Sequence, residues 1–505
     1  MSDRVAKSIK NVKVGMLFYV LSLFLAFFSR RVFLDTLGAE FMGLTGTLQN
    51  ILGFLNVAEL GIGTSIVYFL YKPLERDDHD RISDIMSMLA YLYRMIGLTI
   101  GAAGVVVSLA FPFFSQLSSQ HLPLVYFTFY SFLATSMAGY LINYRQLLVG
   151  ANQRQYVVNA YFQGISIAQS LTQIVLAYYF QNLYLWVVVG LVFTVIGCIV
   201  FNRRIRREYP WLHIDLARGR RLLKEYPEVL RKTRQIFVQK IKNFILYRAD
   251  QILVFLFGTL RTVAYFDNYM IIINKLTLLV NIVSDGMNAG VGNLVAEGNV
   301  ANTLKVFWEL TAIRFLIVGV VIFGLLLFVQ PFMTFWLGSG FLLSDVIVWL
   351  LLLNLFIMLS RGVVEMYISA YGLFHDVWAT WLELIVNLSV TILLAPRLGI
   401  VGILLGKIVS VVFIAVFWKP YLLFTCGIGQ GVRVYWRGML PFYTVFALFL
   451  VVAVVLKRIV AVHAASLLSF IAFGAALFLP LILLYAVALY CVAPGMRPLI
   501  ARLRR

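Results

Sequence analysis

Ionisable side chains occur in this chain where the surrounding sequence is almost wholly apolar. Arg30, Arg31, Arg94, Lys240, Lys242, Arg248, Lys275, Arg314, Arg361 and Lys407 are the basic ones, and Glu59, Asp250, Asp267, Asp285, Glu309, Glu365 and Glu383 the acidic ones. At the centre of a membrane helix each costs about 2.5–3.5 kcal/mol, so such groups must snorkel, pair or face water. A guanidinium fork grips phosphate oxygens two at a time, and its charge does not titrate away. Arg30, Arg31, Arg248 and Arg361 are therefore candidates to hold a diphosphate. Other readings are equally open. Arg30 and Arg31 end an apolar run and can snorkel to headgroups, while Arg248 with Asp250, and Arg361 with Glu365, can form structural ion pairs. Glu59, Asp250 and Glu365 either balance those charges or couple the protein to protons, a cation or the membrane potential; no cofactor is implied.

Polar stripes accompany the charges. Thr45, Gln49, Asn56, Glu59 and Gly63 fall on one face of a helix, as do Asn159, Gln163, Ser166, Ser170 and Gln173, and again Asn274, Thr277, Asn281, Ser284 and Asn288. Amides and hydroxyls of this kind glue membrane helices together. Several long stripes in one chain also suit the walls of a wet cavity. Side chains that both donate and accept fit a neutral, hydroxyl-rich ligand such as a sugar. On that reading Gln49, Asn56, Gln163, Ser166, Ser170, Gln173, Asn274 and Asn281 face the sugar, and the ligand is an amphiphile with anionic phosphate, sugar head and apolar tail.

The elements that carry these residues follow from hydropathy. The 505 residues are 62% hydrophobic and 13% charged, with a mean hydropathy of +0.90, which excludes a soluble enzyme and a disordered chain alike. Apolar runs of about 20 residues exclude a β-barrel and require membrane helices. They lie at 14–34, 41–71, 88–111, 123–149, 156–180, 184–202, 236–258, 262–296, 304–329, 344–371, 376–395, 399–424, 438–456 and 464–490, about fourteen in all. The expected fold is an all-α polytopic membrane protein, its helices in two lobes of six and eight around a central cavity. The N-terminal lobe is 1–202, a basic cytoplasmic linker 203–235, the C-terminal lobe 236–424, and 425–505 two additional helices with a basic tail. The motif Asn56-Val57-Ala58-Glu59-Leu60-Gly61 returns six helices later as Asn281-Ile282-Val283-Ser284-Asp285-Gly286, and Leu148-Val149-Gly150 as Ala370-Tyr371-Gly372, the pattern of a transporter repeat.

Charge gives the orientation. Lys and Arg crowd the side that carries Arg4, Lys7, Lys10 and Lys13, the linker and the tail Arg497, Arg502, Arg504 and Arg505, so both termini are expected in the cytoplasm. Lys457 and Arg458 are exceptions. The net charge of +20 is read as attraction to anionic phospholipids, not to nucleic acid. Cys198, Cys426 and Cys491 show neither disulfide nor metal-ligand spacing, and the histidines fall at predicted loops or helix ends. An enzyme would require catalytic groups in an outer loop. The longest such segment, 330–343, holds no charged residue, and no nucleophile motif or paired carboxylates appear.

Arg30-Arg31-Val32-Phe33-Leu34, Leu37-Gly38, Glu59-Leu60-Gly61-Ile62-Gly63 and Leu70-Tyr71-Lys72-Pro73-Leu74 resemble the N-terminal signature of bacterial polysaccharide biosynthesis flippases. Asp267-Asn268-Tyr269, Val291-Gly292-Asn293-Leu294, Pro331-Phe332-Met333 and Trp336-Leu337-Gly338 resemble its second-half features, so the likeness runs from Arg30 to about Gly406. The resemblance implies the multidrug/oligosaccharidyl-lipid/polysaccharide exporter superfamily, with twelve or fourteen helices around a central cavity. It implies a flippase that moves undecaprenyl-diphosphate-linked oligosaccharides across the bacterial cytoplasmic (inner) membrane for O-antigen, capsule or exopolysaccharide assembly. Arg30, Arg31 and Arg248 match the arginines that meet the diphosphate. A polysaccharide polymerase and glycosyltransferases would be partners. A cation-coupled multidrug exporter of the same superfamily is the alternative, but it should carry a buried acid in its first helix, where this sequence has none before Asp35 except near the terminus.

Overall fold

The computed structural model describes residues 2–59, 62–114, 122–152, 154–225, 252–373, 376–460 and 467–503. Every regular element among them is helical. In hydrocarbon the backbone must satisfy its own hydrogen bonds, and an apolar helix does so within one segment. Eleven helices of the described residues are long and apolar enough to cross a bilayer. Helix Gln155–Phe180 is long enough but carries the amide stripe, and Ala39–Glu75 is interrupted. The run expected at 236–258 lies mostly outside the described residues. The chain divides into two compact units, Met1–Asp267 and Asn268–Arg505.

In the first unit, Ser2–Leu37 packs along Gln155–Phe180, and His79–Ser108 and Leu183–Glu208 flank Leu122–Leu141. Phe33 and Phe41 both meet the Trp186 ring edge-on, at 5.5 and 5.7 Å. Gly38, at φ +85°, makes the joint between the first two helices, a conformation that glycine adopts without strain. Gly43 lies where any side chain would collide with the Leu260 carbonyl, so the second helix approaches that backbone closely.

The basic segment after Glu208 is partly a structured element. Leu216–Glu225 is an amphipathic helix that buries Leu222 and Leu223 and lies along His79–Ser108. The Asp215 amide donates to Ser87 Oγ at 3.1 Å, Arg218 pairs with Asp84 at 2.7 Å, and Gly219 rests on the Ser87 carbonyl. Arg220, Arg221 and Lys224 remain exposed.

The second unit is organised on Val300–Leu337, which is buried along most of its length. An aromatic seam holds it. Phe307, Phe315 and Phe323 meet Phe424, Phe442 and Phe446 at ring separations of 5.0–5.4 Å. Val377–Leu398 and Ile400–Val411 form a tight hairpin through Gly399, at φ +57°. Beyond it the helix widens to π geometry at Val412–Trp418 and Leu423–Ile428. Pro420, between them, has no N–H for the usual ladder, which shifts the pairing.

Three continuous spans expected from hydropathy are interrupted. Ala39–Leu55 passes into a 3-10 turn at Asn56–Glu59 before Ile62–Glu75. Leu122–Leu141 is followed by a 3-10 turn at Asn143–Arg145 and the short helix Gln146–Ala151. Asp345–Ser360 stops at Arg361 before Gly362–Ala370. The segment 330–343 is mostly the end of Val300–Leu337, not a loop, because Pro331 stands in a helix already begun. Its remainder is tied down: Tyr269 Oη donates to Gln330 Oε1 at 2.7 Å, the Leu343 amide donates to Tyr269 Oη at 3.1 Å, and Gln330 Nε2 donates to the Leu343 carbonyl at 2.9 Å. Lys457 pairs with Asp345 at 3.3 Å, which accounts for a basic residue on the side otherwise poor in them.

Candidate functional site

Each unit carries a polar cluster at one of the helix interruptions. In the first unit, Asn56 and Glu59 stand on the 3-10 turn. Ser136 Oγ donates to Asn56 Oδ1 at 2.8 Å, and Tyr93 Oη donates to Glu59 Oε1 at 2.6 Å. The ring of Tyr140 meets Tyr93 edge-on at 5.7 Å. Gly63 leaves room for this arrangement, since a Cβ there would lie 3.0 Å from Tyr93 Oη. A phenol donating to a carboxylate is a short, charge-assisted bond that holds the acid in one orientation.

Arg30 belongs to the first unit as well. Its Nη2 donates to the Ala264 carbonyl at 3.1 Å, and its guanidinium interacts electrostatically with Asp267. Gly46 makes room for that acid, because a Cβ there would lie 2.5 Å from Asp267 Oδ2. Arg31, the next residue, is 57% exposed and meets Asp35 at 3.9 Å. The two neighbours therefore serve different surroundings: Arg30 is stitched to the start of Leu260–Ala296, and Arg31 reaches outward. Arg248 and Asp250 lie outside the described residues.

In the second unit, Arg361 occupies the gap between Asp345–Ser360 and Gly362–Ala370, and its Nε meets Glu365 Oε1 at 3.1 Å. Arg314, buried in the middle of Val300–Leu337, completes the cluster. Its Nε donates to the Leu359 carbonyl at 2.6 Å and its Nη1 to Ser284 Oγ at 2.6 Å, and it interacts electrostatically with Glu365. Gly362 lies where a side chain would run into that guanidinium. A side chain inserted into the backbone ladder is a recognised cause of a helix break, and Arg314 on Leu359 supplies one here. Sequence reasoning named Arg314 among the membrane-depth charges without assigning it to the site. The available signal was an arginine inside an apolar helix of 38 residues, opposite a serine of the Asn274–Ser284 stripe.

The amide stripes divide by exposure. Gln49, Gln163 and Ser166 of the first unit, and Asn274 and Asn281 of the second, are exposed, and Ser170 is half-buried. Each unit thus leaves part of its polar stripe uncovered by its own helices. Gln173 is different. It is buried, its Nε2 donates to the Trp186 carbonyl at 2.9 Å, and it joins two helices. Among the described residues, no group of three or more His, Cys, Asp or Glu is arranged to hold a metal ion.

No protein-family model matches the chain, and no curated protein sequence matches it. Solved structures do share its fold. The lipid II flippase MurJ, in an inward closed conformation, is similar with a TM-score of 0.64 at 12% identity, over 96% of this chain and 99% of that one. A multidrug resistance transporter of the MATE family in the MOP superfamily, in an inward-facing conformation, is similar with a TM-score of 0.52 at 16% identity, over 81% of this chain and 97% of that one. The chain is thus an all-helical membrane protein with a fold found among flippases and transporters.

Proposed function

We propose that the protein is a flippase that carries an undecaprenyl-diphosphate-linked oligosaccharide across the cytoplasmic membrane by alternating access, for assembly of a cell-surface polysaccharide. The observation that carries this reading is the extent of the fold likeness. The lipid II flippase accounts for 96% of the chain, whereas the multidrug transporter leaves nearly a fifth of it without a counterpart. The chemistry agrees. Exposed amides such as Gln49, Gln163, Asn274 and Asn281 would exchange hydrogen bonds with sugar hydroxyls. Guanidinium groups, Arg30 and Arg361 together with Arg248 and Arg31, would meet the diphosphate. The polyprenyl tail would stay in lipid. Glu59, held by Tyr93, stands with Asp250 and Glu365 as a carboxylate that either couples transport to an ion or balances the arginines. Asp35, the one acid of the first helix beyond Asp3, is 63% exposed, which suits a drug-coupling role poorly.

The test is transport by the purified full chain in vesicles that hold a fluorescent, short-chain diphosphate-linked oligosaccharide. Loss of fluorescence to an impermeant reductant reports movement between leaflets. Wild-type protein should expose the inner pool faster than protein-free vesicles do, and Arg30→Ala should slow that exposure. Vesicles that export a cationic dye and leave the lipid-linked sugar in place would favour the multidrug reading instead.

A further inference from the structure

A cleft of about 770 Å³ opens at one end of the second unit, and its lining does not include Arg314, Arg361 or Glu365. Its walls are the first turns of Val432–Ile459, the end of Leu467–Val492 and the start of Met496–Leu503, and Trp308 of Val300–Leu337 lines it too. The lining holds three arginines, Arg433, Arg437 and Arg497, and no acid. Arg433 and Arg437 are one helical turn apart, where like charges repel unless an anion lies between them. Arg497 is fixed in place: its Nη2 donates to the Cys491 carbonyl at 3.0 Å and its Nε to the Tyr490 carbonyl at 3.3 Å.

The cleft depends on particular residues for its shape. Gly438 lies where a side chain would strike the Trp308 indole, and Gly495, at φ +87°, runs directly over the Trp308 backbone. Pro441, Pro494 and Pro498 stiffen its rim. Beside the arginines the surface turns apolar at once, with Val434, Leu440, Val487 and Val492 all exposed. Three cations and an indole next to uncovered apolar surface are complementary to an amphiphile whose head is a phosphate.

We propose that this cleft binds the phosphate of an anionic phospholipid, with the acyl chains on the apolar rim, as a site separate from the transported substrate. The shared chemistry with free phosphate is tested directly. The full chain, delipidated in detergent, is titrated with phosphatidylglycerol, phosphatidylcholine or inorganic phosphate and read by native mass spectrometry. Wild-type protein should retain phosphatidylglycerol over phosphatidylcholine, and an equal concentration of phosphate should not displace it. The Arg433→Ala/Arg437→Ala variant should lose about 10- to 30-fold in affinity, the worth of two basic residues at an anionic surface. Arg433→Lys/Arg437→Lys, which keeps the charge, should recover most of it. Arg220→Ala/Arg221→Ala, on the exposed face of the linker helix, should change it little. Unaltered phosphatidylglycerol retention in the double alanine variant would overturn the site, and displacement by equimolar phosphate would overturn the lipid as its occupant. A misfolded variant is recognised by its elution, and the lysine pair then decides the outcome.

Discussion

Both units place charge at a break in a membrane helix, and they secure it by different chemistry. At Asn56–Glu59 of the first unit, the charge is a carboxylate and its recorded partner is a phenol, with a serine on the neighbouring amide. At Arg361 of the second, guanidinium groups are bound to a carboxylate, a serine and a backbone carbonyl. A guanidinium keeps its charge at any working pH, so Arg314 and Arg361 are permanent cations. The second cluster therefore holds fixed positive charge beside the Glu365 carboxylate, whereas the first is built on a carboxylate held by neutral donors.

The largest expected effect tests the fixed cluster. Arg314→Met removes the donor to Leu359 and Ser284 and leaves Glu365 with one cation fewer. Loss of one partner from a buried charge network costs about 3–5 kcal/mol. Unfolding of the purified protein by a denaturing detergent should show that loss. Arg314→Lys, which keeps the charge and loses the fork, should fall between the two. A methionine variant as stable as wild type would mean that the break at Arg361 does not depend on Arg314, and the contrast between the units would lose its second half.

The first cluster should respond less in stability. Tyr93→Phe deletes a hydrogen bond to a charged acceptor, about 1.5–3 kcal/mol by the same unfolding measurement. Glu59→Gln keeps an acceptor for Tyr93 and removes the negative charge. Its stability should change less than that of Tyr93→Phe, while the pH profile of transport should flatten. A profile identical to wild type would remove Glu59 from coupling and leave it a structural acid.

Much of this was legible in the sequence, and the reasons for the rest are physical. Hydropathy located Gln155–Phe180, Leu183–Glu208 and Leu260–Ala296 within a few residues of the expected starts, because membrane helices begin where apolar runs begin. The pairing of Arg361 with Glu365 was legible for a similar reason, since four-residue spacing puts them on one helix face. The interruptions were not. A helix break leaves a run as apolar as before, and what makes it is a contact between distant residues: Arg314 and Leu359 are 45 positions apart. Arg30 is a sharper case, because its acceptor is 234 residues away. Stripe reasoning also treated Gln173 like Gln163, although a neighbouring carbonyl had claimed the first and left the second exposed. The proposed repeat shows the same limit. The spans with Gly150 and Gly372 near their ends are both broken, whereas Asn56–Gly61 marks a break and Asn281–Gly286 lies inside one continuous helix.

The smallest expected effect sharpens the comparison at its neutral end. Ser136→Ala removes the donor to Asn56 Oδ1, a bond between uncharged groups and so about 0.5–1.5 kcal/mol. Global unfolding will scarcely register that change, but the 3-10 turn should. The Ser136 bond ties Asn56, at its start, to Leu122–Leu141, and Tyr93 ties Glu59, at its end, to His79–Ser108. Removing the weaker tie should raise amide hydrogen exchange at Asn56–Glu59 and leave exchange around Arg361 unchanged, because Ser136 and Arg361 belong to different units. If exchange at Asn56–Glu59 stays at the wild-type rate, the Glu59–Tyr93 bond alone is enough to hold the turn, and Glu59 is the residue on which the local fold depends.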